Sequence, residues 1–105
     1  MQSILHALAD PRRRAIVEML RQGEQPVGRI VDELPIAQSG VSRHLRILRD
    51  AGLVVARPQG QQRVYALRPE PLQELSAWLD AYRFLWEERL DRFEDALRHS
   101  TNTPV

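Results

Sequence analysis

The chain has 105 residues, 15 of them basic and 14 acidic, a net charge of +1, and no cysteine. This length allows one compact domain, and the lack of cysteine excludes disulfides and thiolate metal sites. No apolar run approaches the roughly 20 residues of a membrane span, and the N-terminus lacks the layout of a signal peptide, so we expect a cytoplasmic protein without a membrane partner.

Two short helices are predicted at the start of the chain. Residues 3–9 suit a helix with one apolar side. Asp10 is a good N-cap, and the proline after it fits the first position of a second helix over residues 11–22. We expect Arg12 and Arg13 to be a solvated cluster in the first turn of that helix, although Asp10 or a phosphate would also offset one of them.

A tight turn separates the next two predicted helices. The first is expected over residues 26–34, because the pair Gln25-Pro26 repeats the start signal seen before the second helix. The following helix begins at Gln38, so only residues 35–37 lie between the two. Helices joined by so short a turn cross steeply, as they do in a helix-turn-helix.

The stretch of residues 38–53 is predicted to be a helix with Gly52 as its stop signal. This helix has two faces of different chemistry. Val41, Leu45 and Leu48 form one apolar stripe for a core. The other face carries amides, hydroxyls and guanidiniums that suit DNA bases and phosphates, with Asp50 as the only acid nearby. We therefore predict a DNA-recognition helix. The side chains expected at base edges are Gln38, Ser39, Ser42 and Arg43. Those expected at the DNA backbone are Arg46, Arg49 and His44, with packing against a neighbouring helix as the alternative for His44.

After Gly52 the apolar pattern changes to the period of two that is typical of strands. Two strands around a polar turn at residues 58–62 are predicted to form a wing beside the recognition helix. An ordinary solvated hairpin would have an equally polar turn. The wing side chains expected to contact the DNA backbone or minor groove are Arg57, Gln61, Gln62 and Arg63.

The distribution of charge agrees with this assignment. Residues 28–68 contain seven arginines and three acids, whereas residues 71–99 contain four arginines and seven acids. The middle of the chain therefore suits a polyanion such as double-stranded DNA, and the C-terminal part does not.

A long C-terminal helix is predicted over roughly residues 72–99. At 1.5 Å per residue it would be about 42 Å long, which exceeds the width of a small domain. Its apolar and aromatic stripe is not expected to stay in water, so we predict a two-fold homodimer. The interface residues expected on this helix are Leu75, Trp78, Leu79, Tyr82, Trp86 and Phe93. A small-molecule pocket among the aromatic side chains is the alternative.

The residues give little support to metal binding or catalysis. The three histidines form no ligand cluster, and His99 with Asp95 would supply only two ligands. The sequence has no glycine-rich phosphate loop, nucleophile elbow or paired carboxylates in an apolar setting. We therefore expect no metal, no cofactor and no enzyme activity.

Two blocks of the sequence resemble the ArsR/SmtB family of winged-helix repressors. The first is LADPRR at residues 8–13, and the second runs from VSRHL to LRDAGLV over residues 41–54. Residues 78–90 look like a subgroup of that family without metal sites. The cysteine pair of the metal-sensing members corresponds here to residues 31–34, which contain no cysteine, so an effector remains unassigned.

The resemblance, taken with the elements, gives an expected fold and organisation. The fold is mainly α with a small β-hairpin: a winged helix-turn-helix of about five helices plus a two-stranded wing, dimeric. The resemblance implies a homodimer joined through its first and last helices, which binds a palindromic operator and usually represses. It adds Ile4, Leu5 and Leu8 to the expected interface. The expected parts are a DNA-binding domain at residues 1–70 with residues 1–9 also in the dimer, a dimerisation helix at residues 71–99, and a flexible tail at residues 100–105.

Two functions of other classes remain open from the sequence alone. One is a winged helix that binds a protein partner, and the other is a sensor with a small-molecule ligand among its aromatic side chains.

Overall fold

The computed structural model describes residues 1–101, with side chains through residue 98. Its elements in chain order are α1 (Gln2–Leu8), α2 (Pro11–Arg21), β1 (Gln25–Pro26), α3 (Val27–Glu33), α4 (Gln38–Asp50), β2 (Val54–Gln59), β3 (Gln62–Leu67) and α5 (Pro69–Thr101). The predicted winged helix-turn-helix is confirmed. The tail expected at residues 100–105 overlaps the last residues of α5 and from residue 102 lies outside the described residues.

The start of α2 follows from the capping residue that the sequence provides. The Asp10 carboxylate accepts hydrogen bonds from the backbone N–H of Arg12 at 2.7 Å and of Arg13 at 3.4 Å. These are two of the donors that the first turn of a helix leaves without a helical partner. Further along α2, Ile16 and Leu20 are buried and join the core.

The residues before α3 form a strand, and the prediction that a helix begins at Pro26 is wrong in this detail. Pro26 has an extended backbone, and β1 pairs antiparallel with β3, with Gln25 opposite Tyr65. The wing is therefore part of a three-stranded sheet in the order β1-β3-β2. Since a hairpin alone leaves one edge of β3 unpaired, the short β1 covers that edge.

The predicted apolar stripe of α4 is confirmed, because Val41, Leu45 and Leu48 are all buried in the core. The helix ends at Asp50, two residues before Gly52, which the sequence indicates as the helix stop. Gly52 has φ +78°, the N–H of Gly52 bonds to the carbonyl of Arg49, and the N–H of Leu53 bonds to the carbonyl of Leu48. This pair of bonds around a left-handed glycine is the Schellman arrangement, which stops the helix.

The hairpin of the wing is tighter than the sequence indicated. Gln59 pairs with Gln62, so the turn consists of Gly60 and Gln61 alone. Gly60 has φ +62° and occupies the first turn position, where a two-residue hairpin of the II′ type requires a glycine. The polar run at residues 58–62 therefore extends both strands and places their polar side chains close together at the tip.

The chain divides into two compact units, Met1–Leu75 and a second that begins at Ser76. Helix α5 begins at Pro69, three residues earlier than expected, because both prolines lie in its first turn, where the helix needs no N–H donor. Leu72 and Leu75 pack against the core of the first unit. The separate domains expected at residues 1–70 and 71–99 stay a prediction.

The described helices include none that combines the length and the apolar character required to cross a membrane.

Candidate nucleic-acid interface

The polar face of α4 is exposed, as the sequence predicted. Its accessible side chains are amides, hydroxyls and guanidiniums, from Gln38, Ser39, Ser42, Arg43, Arg46 and Arg49. Because the apolar stripe of the same helix is fully buried, the helix is fixed in one rotation about its axis. The polar face is therefore held outward by the core.

An open cleft of about 450 Å³ lies between α4 and the wing. One wall comes from α4, the other from the tip of the hairpin, and Val27, Gly28 and Tyr65 complete the lining. The cleft brings together most of the residues predicted to contact DNA, namely Gln38, Ser42, Arg46, Arg49, Gln61, Gln62 and Arg63. Ser39 and Arg43 do not line it, because each follows a cleft residue on α4 and so lies on the adjacent face.

The arginines on the exposed face of α4 and at the wing tip have no acidic partner in the described structure. Within the part of the chain that the structure describes, no carboxylate lies within ion-pair distance of Arg43, Arg46, Arg49 or Arg63. Elsewhere many arginines pair with an acid about one helical turn away, among them Arg21, Arg29, Arg83, Arg92 and Arg98. Among the described residues, Arg12, Arg14 and Arg89 are also exposed and without an ion-pair partner. The largest group of unpaired arginines is nevertheless the one on α4 and the wing tip.

Arg57 differs from the other predicted wing contacts. Its Nη2 lies 2.5 Å from Oε1 of Glu24, and both side chains are about half exposed, at 51% and 50%. The hairpin of β2 and β3 contains no acid of its own, so this carboxylate comes from another part of the chain. Glu24 directly precedes β1, so the pairing of β1 with β3 carries a carboxylate to the sheet. Nothing in the local sequence around Arg57 indicates this partner.

Arg13 was expected to be solvated, and the structure corrects this. Its side chain is buried, with 8% of the residue exposed. The Nε atom donates to the carbonyl of Ala7 at 2.7 Å and Nη2 donates to the carbonyl of His6 at 3.1 Å. Both carbonyls belong to the last turn of α1, where a cation is favourable. The sequence did carry a signal, since Arg13 precedes Ile16 and Leu20 on the buried stripe of α2.

His44 packs against α2, which is the alternative that the sequence left open for it. Its Nδ1 lies 3.3 Å from Nη1 of Arg13, and the residue is half-buried. Because a guanidinium has only donors, Nδ1 of His44 is the acceptor in this contact. Arg13 therefore connects α1, α2 and α4.

Asp10 lies beside this group. Its carboxylate is 3.9 Å from Nη1 of Arg13. The hydrogen bond from the Arg12 amide is the main reason that the pKa of Asp10 falls below its ordinary value of 3.8. The bond from the Arg13 amide, the charge of a protonated His44 and the charge of Arg13 lower it further. Partial desolvation opposes these effects. The carboxylate stays ionised over the whole neutral range.

The residues of α5 beyond Leu75 expose a long apolar face. Trp78, Tyr82 and Trp86 are 43%, 45% and 51% exposed, and the rings of Trp78 and Tyr82 meet edge to face at 5.2 Å. A surface groove of about 490 Å³ follows this face, lined by Trp78, Leu79, Tyr82, Leu85, Trp86 and Arg89. All of its lining comes from one helix, so it is an open face that a partner would have to cover.

The side chains described here include no group of three His, Asp or Glu residues that could hold a metal ion. His99, which would pair with Asp95 as a second ligand, has a side chain outside the described residues.

Comparison with known proteins gives consistent matches. A sequence model described as "Bacterial regulatory protein, arsR family" matches residues 10–55, from the cap of α2 to the start of β2. The HTH-type transcriptional regulator Rv2034 of Mycobacterium tuberculosis is 47% identical over 76 residues, which are 72% of this chain and 71% of that protein. The transcriptional repressor SdpR of Bacillus subtilis is 32% identical over 79 residues, 75% of this chain and 88% of that one.

A solved structure is also similar to this chain. The crystal structure of the ArsR family transcriptional regulator RHA00566 superimposes with a TM-score of 0.75 at 34% sequence identity. The match covers 82% of this chain and 94% of that structure, so it extends beyond the helix-turn-helix to nearly the whole of the known protein.

Proposed function

Because the chain belongs to the arsR family of bacterial regulatory proteins and is thus a DNA-binding transcriptional regulator and not an enzyme, we propose that it is a homodimeric repressor of a palindromic operator. Membership of the family confirms the resemblance found in the sequence. The repressing direction is supported by the similarity to SdpR, which is itself named a repressor.

The concentration of unpaired arginines on α4 and the wing tip carries the proposed mode of binding. We assign base-edge contacts to Gln38, Ser39, Ser42 and Arg43, since amides and guanidiniums make bidentate bonds to adenine and guanine in the major groove. Arg46, Arg49 and the wing residues Gln61, Gln62 and Arg63 would then contact phosphates from the walls of the cleft. Arg57 would contribute less, because Glu24 already neutralises part of its charge.

The exposed face of α5 supports a homodimer. A run of large apolar side chains at 38% to 79% exposure is more than a soluble monomer normally leaves in water. Leu5 of α1 is also 42% exposed and suits an interface. Ile4 is only 4% exposed and serves the core of its own protomer, so we leave it out of the proposed interface, and Leu8 and Leu75 pack against that core as well.

The exposed apolar residues of α5 from Trp78 to Trp86 also line the aromatic groove. A second copy of α5 would therefore cover the surface that a small-molecule ligand would need. We therefore place the dimer first. In such a dimer the two α4 helices should lie about 34 Å apart, one turn of B-DNA.

Fluorescence anisotropy with labelled duplexes tests the proposed function. The wild-type protein is first used to select a preferred sequence from a pool of random duplexes, and binding to that sequence and to an unselected duplex is then compared. Arg43→Ala should cost about 1–3 kcal/mol of discrimination between the two. Arg63→Ala should instead weaken both complexes alike and flatten their salt dependence. A protein that selects no sequence, or an Arg43→Ala variant with unchanged discrimination, would contradict the assignment.

A further inference from the structure

The buried guanidinium of Arg13 lies between two parts of the structure. Arg13 lies on α2, and its Nε and Nη2 atoms donate to carbonyls of α1 at 2.7 Å and 3.1 Å. The remaining nitrogen, Nη1, faces α4. That third group meets Nδ1 of His44 at 3.3 Å. Since a buried arginine is costly unless its donors are satisfied, the position of His44 on α4 is tied to a side chain that cannot move freely.

His44 is well placed to affect base contacts. It follows Arg43 directly in sequence, and it lies on α4 between the buried stripe and the exposed polar face. Base-edge bonds depend on positioning to a few tenths of an ångström, because bidentate geometry fails when the helix rotates or slides. The apolar stripe fixes the rotation of α4 coarsely, and a directional hydrogen bond adds a finer constraint.

From this contact we infer that Arg13 is a positioning residue for DNA recognition, which acts through the neutral imidazole of His44 to hold α4 in register for base contacts. The inference rests on the proposed function, in which α4 reads the bases. It adds to that function a dependence on the protonation of one histidine.

The chemistry of the contact gives the sign of that dependence. In the neutral imidazole Nδ1 accepts and the proton lies on Nε2. A protonated His44 would place an N–H donor and a second positive charge against Nη1 of Arg13, so the hydrogen bond would be lost and replaced by repulsion. Acidification through the range in which histidine titrates should therefore loosen the positioning of α4.

Other charged groups around His44 change the size of this pH effect but do not cause it. Asp10, which caps α2, opposes the repulsion because its carboxylate interacts favourably with both His44 and Arg13. His6 of α1 and Asp50 of α4 line a cleft together with Ile47, which lies about one helical turn along α4 from His44. Within the described residues no hydrogen bond or ion pair joins His44 to α3 or to the wing.

The test measures discrimination, the ratio of affinities for the selected duplex and an unselected one, from about pH 8 to about pH 5.5 at constant ionic strength. A ratio is needed because a protonated histidine also attracts phosphates, and that attraction strengthens both complexes alike. For the wild-type protein we expect the ratio to fall by about tenfold or more on acidification. Thermal unfolding at each pH shows whether the protein remains folded.

Two substitutions separate positioning from a general structural role. In His44→Asn the amide oxygen can replace Nδ1 as acceptor and cannot be protonated, so the ratio at high pH should be kept and its pH dependence lost. His6→Asn is the matched control, because only the backbone carbonyl of His6 contacts Arg13, and its pH profile should follow the wild type. Arg13→Lys keeps the charge but not the three-way contact and should lower the ratio even at high pH, whereas Arg21→Lys at the other end of α2 should not.

The outcomes separate this inference from the proposed function. A wild-type protein that selects a sequence but whose ratio does not change with pH overturns the inference alone, and so does a ratio that falls equally in His44→Asn. An Arg13→Lys variant that folds and discriminates like the wild type also overturns it. Failure to select any sequence at any pH overturns the proposed function instead.

Discussion

At the scale of single residues, the sequence does not identify the partners of two arginines, because each partner lies far away along the chain. Arg13 meets His44 across 31 residues and Arg57 meets Glu24 across 33. A pattern read along the chain reports the spacing of neighbours within one element, and it contains no information on which side chains the fold brings together. Both pairings depend on elements whose contact is set by the core and the sheet.

The pair of Glu24 with Arg57 gives a prediction of increased binding. In Glu24→Gln the Arg57 guanidinium is released on the wing, so affinity for selected and unselected duplexes should rise alike, by about twofold to fivefold at low salt. The plot of log affinity against log salt concentration should steepen by about 0.9 for each phosphate newly neutralised.

Glu18→Gln is the matched control for this prediction, since it releases Arg21 on α2, away from the cleft. Anisotropy titrations at several salt concentrations measure all three proteins. If Glu24→Gln binds no more tightly than Glu18→Gln, then Arg57 does not reach the DNA and the wing contact must be assigned to the other side chains.

The cap of α2 gives a prediction of pH dependence. The folded pKa of Asp10 is lowered, so its ionised cap stabilises the fold above the unfolded pKa, and this contribution is lost as the pH falls through the folded pKa. Asp10→Asn keeps a capping acceptor that does not titrate. The melting temperature of the wild type relative to Asp10→Asn should therefore be constant near neutral pH and fall below about pH 4. A difference that grows at neutral pH would contradict the assignment, and Asp10→Ala should be less stable than either.

At the scale of elements, most of the fold follows from local signals, and the exceptions have physical reasons. The apolar period places α4, and the capping pair Asp10-Pro11 places α2, because both signals act within a few residues of the element they define. The strand β1 has two residues and exists only because the edge of β3 is available to it. No window of sequence around Gln25 contains that edge, so the proline there was interpreted as a helix start.

The end of α4 depends on the left-handed conformation of Gly52. In Gly52→Ala the added Cβ would meet only Pro71 Cγ at 3.8 Å, an ordinary contact. The cost is therefore that of the backbone, about 1–2 kcal/mol of unfolding free energy. Gly28→Ala is the matched control, because Gly28 lies within α3 with open space around its Cα, and alanine there should stabilise by up to about 1 kcal/mol.

Urea unfolding of both glycine variants measures the two free energies. Opposite signs are expected from the same chemical change, since one glycine is needed for its φ and the other is not. A Gly52→Ala variant as stable as the wild type would mean that the helix continues beyond Asp50 in solution.

At the scale of the whole molecule, the candidate site could be predicted in composition but not in arrangement. The exposed amides, hydroxyls and guanidiniums of α4 were identified from spacing alone. Their division into a cleft set and an adjacent set, with Ser39 and Arg43 outside the cleft, depends on where the hairpin tip folds back. The cleft set includes Gln38 and Ser42, which are proposed to contact bases, so the boundary of the cleft does not divide the proposed base contacts from the proposed phosphate contacts.

The exposed face of α5 gives a prediction about the assembly of the protein. Tyr82 and Leu85 are 45% and 57% exposed, and neither contributes to the core of the first unit, whose α5 residues are Leu72 and Leu75. The double variant Tyr82→Glu, Leu85→Glu should therefore fold but sediment as a monomer at micromolar concentration, where we expect the wild type to sediment as a dimer. Because the two halves of a palindrome would no longer be bound by linked subunits, affinity for the full site should fall by about a hundredfold or more. Affinity for a single half-site should stay nearly unchanged. Arg83→Gln, at an exposed position between the two substitutions, is the control and should remain dimeric. A dimeric double variant would mean that another surface joins the subunits.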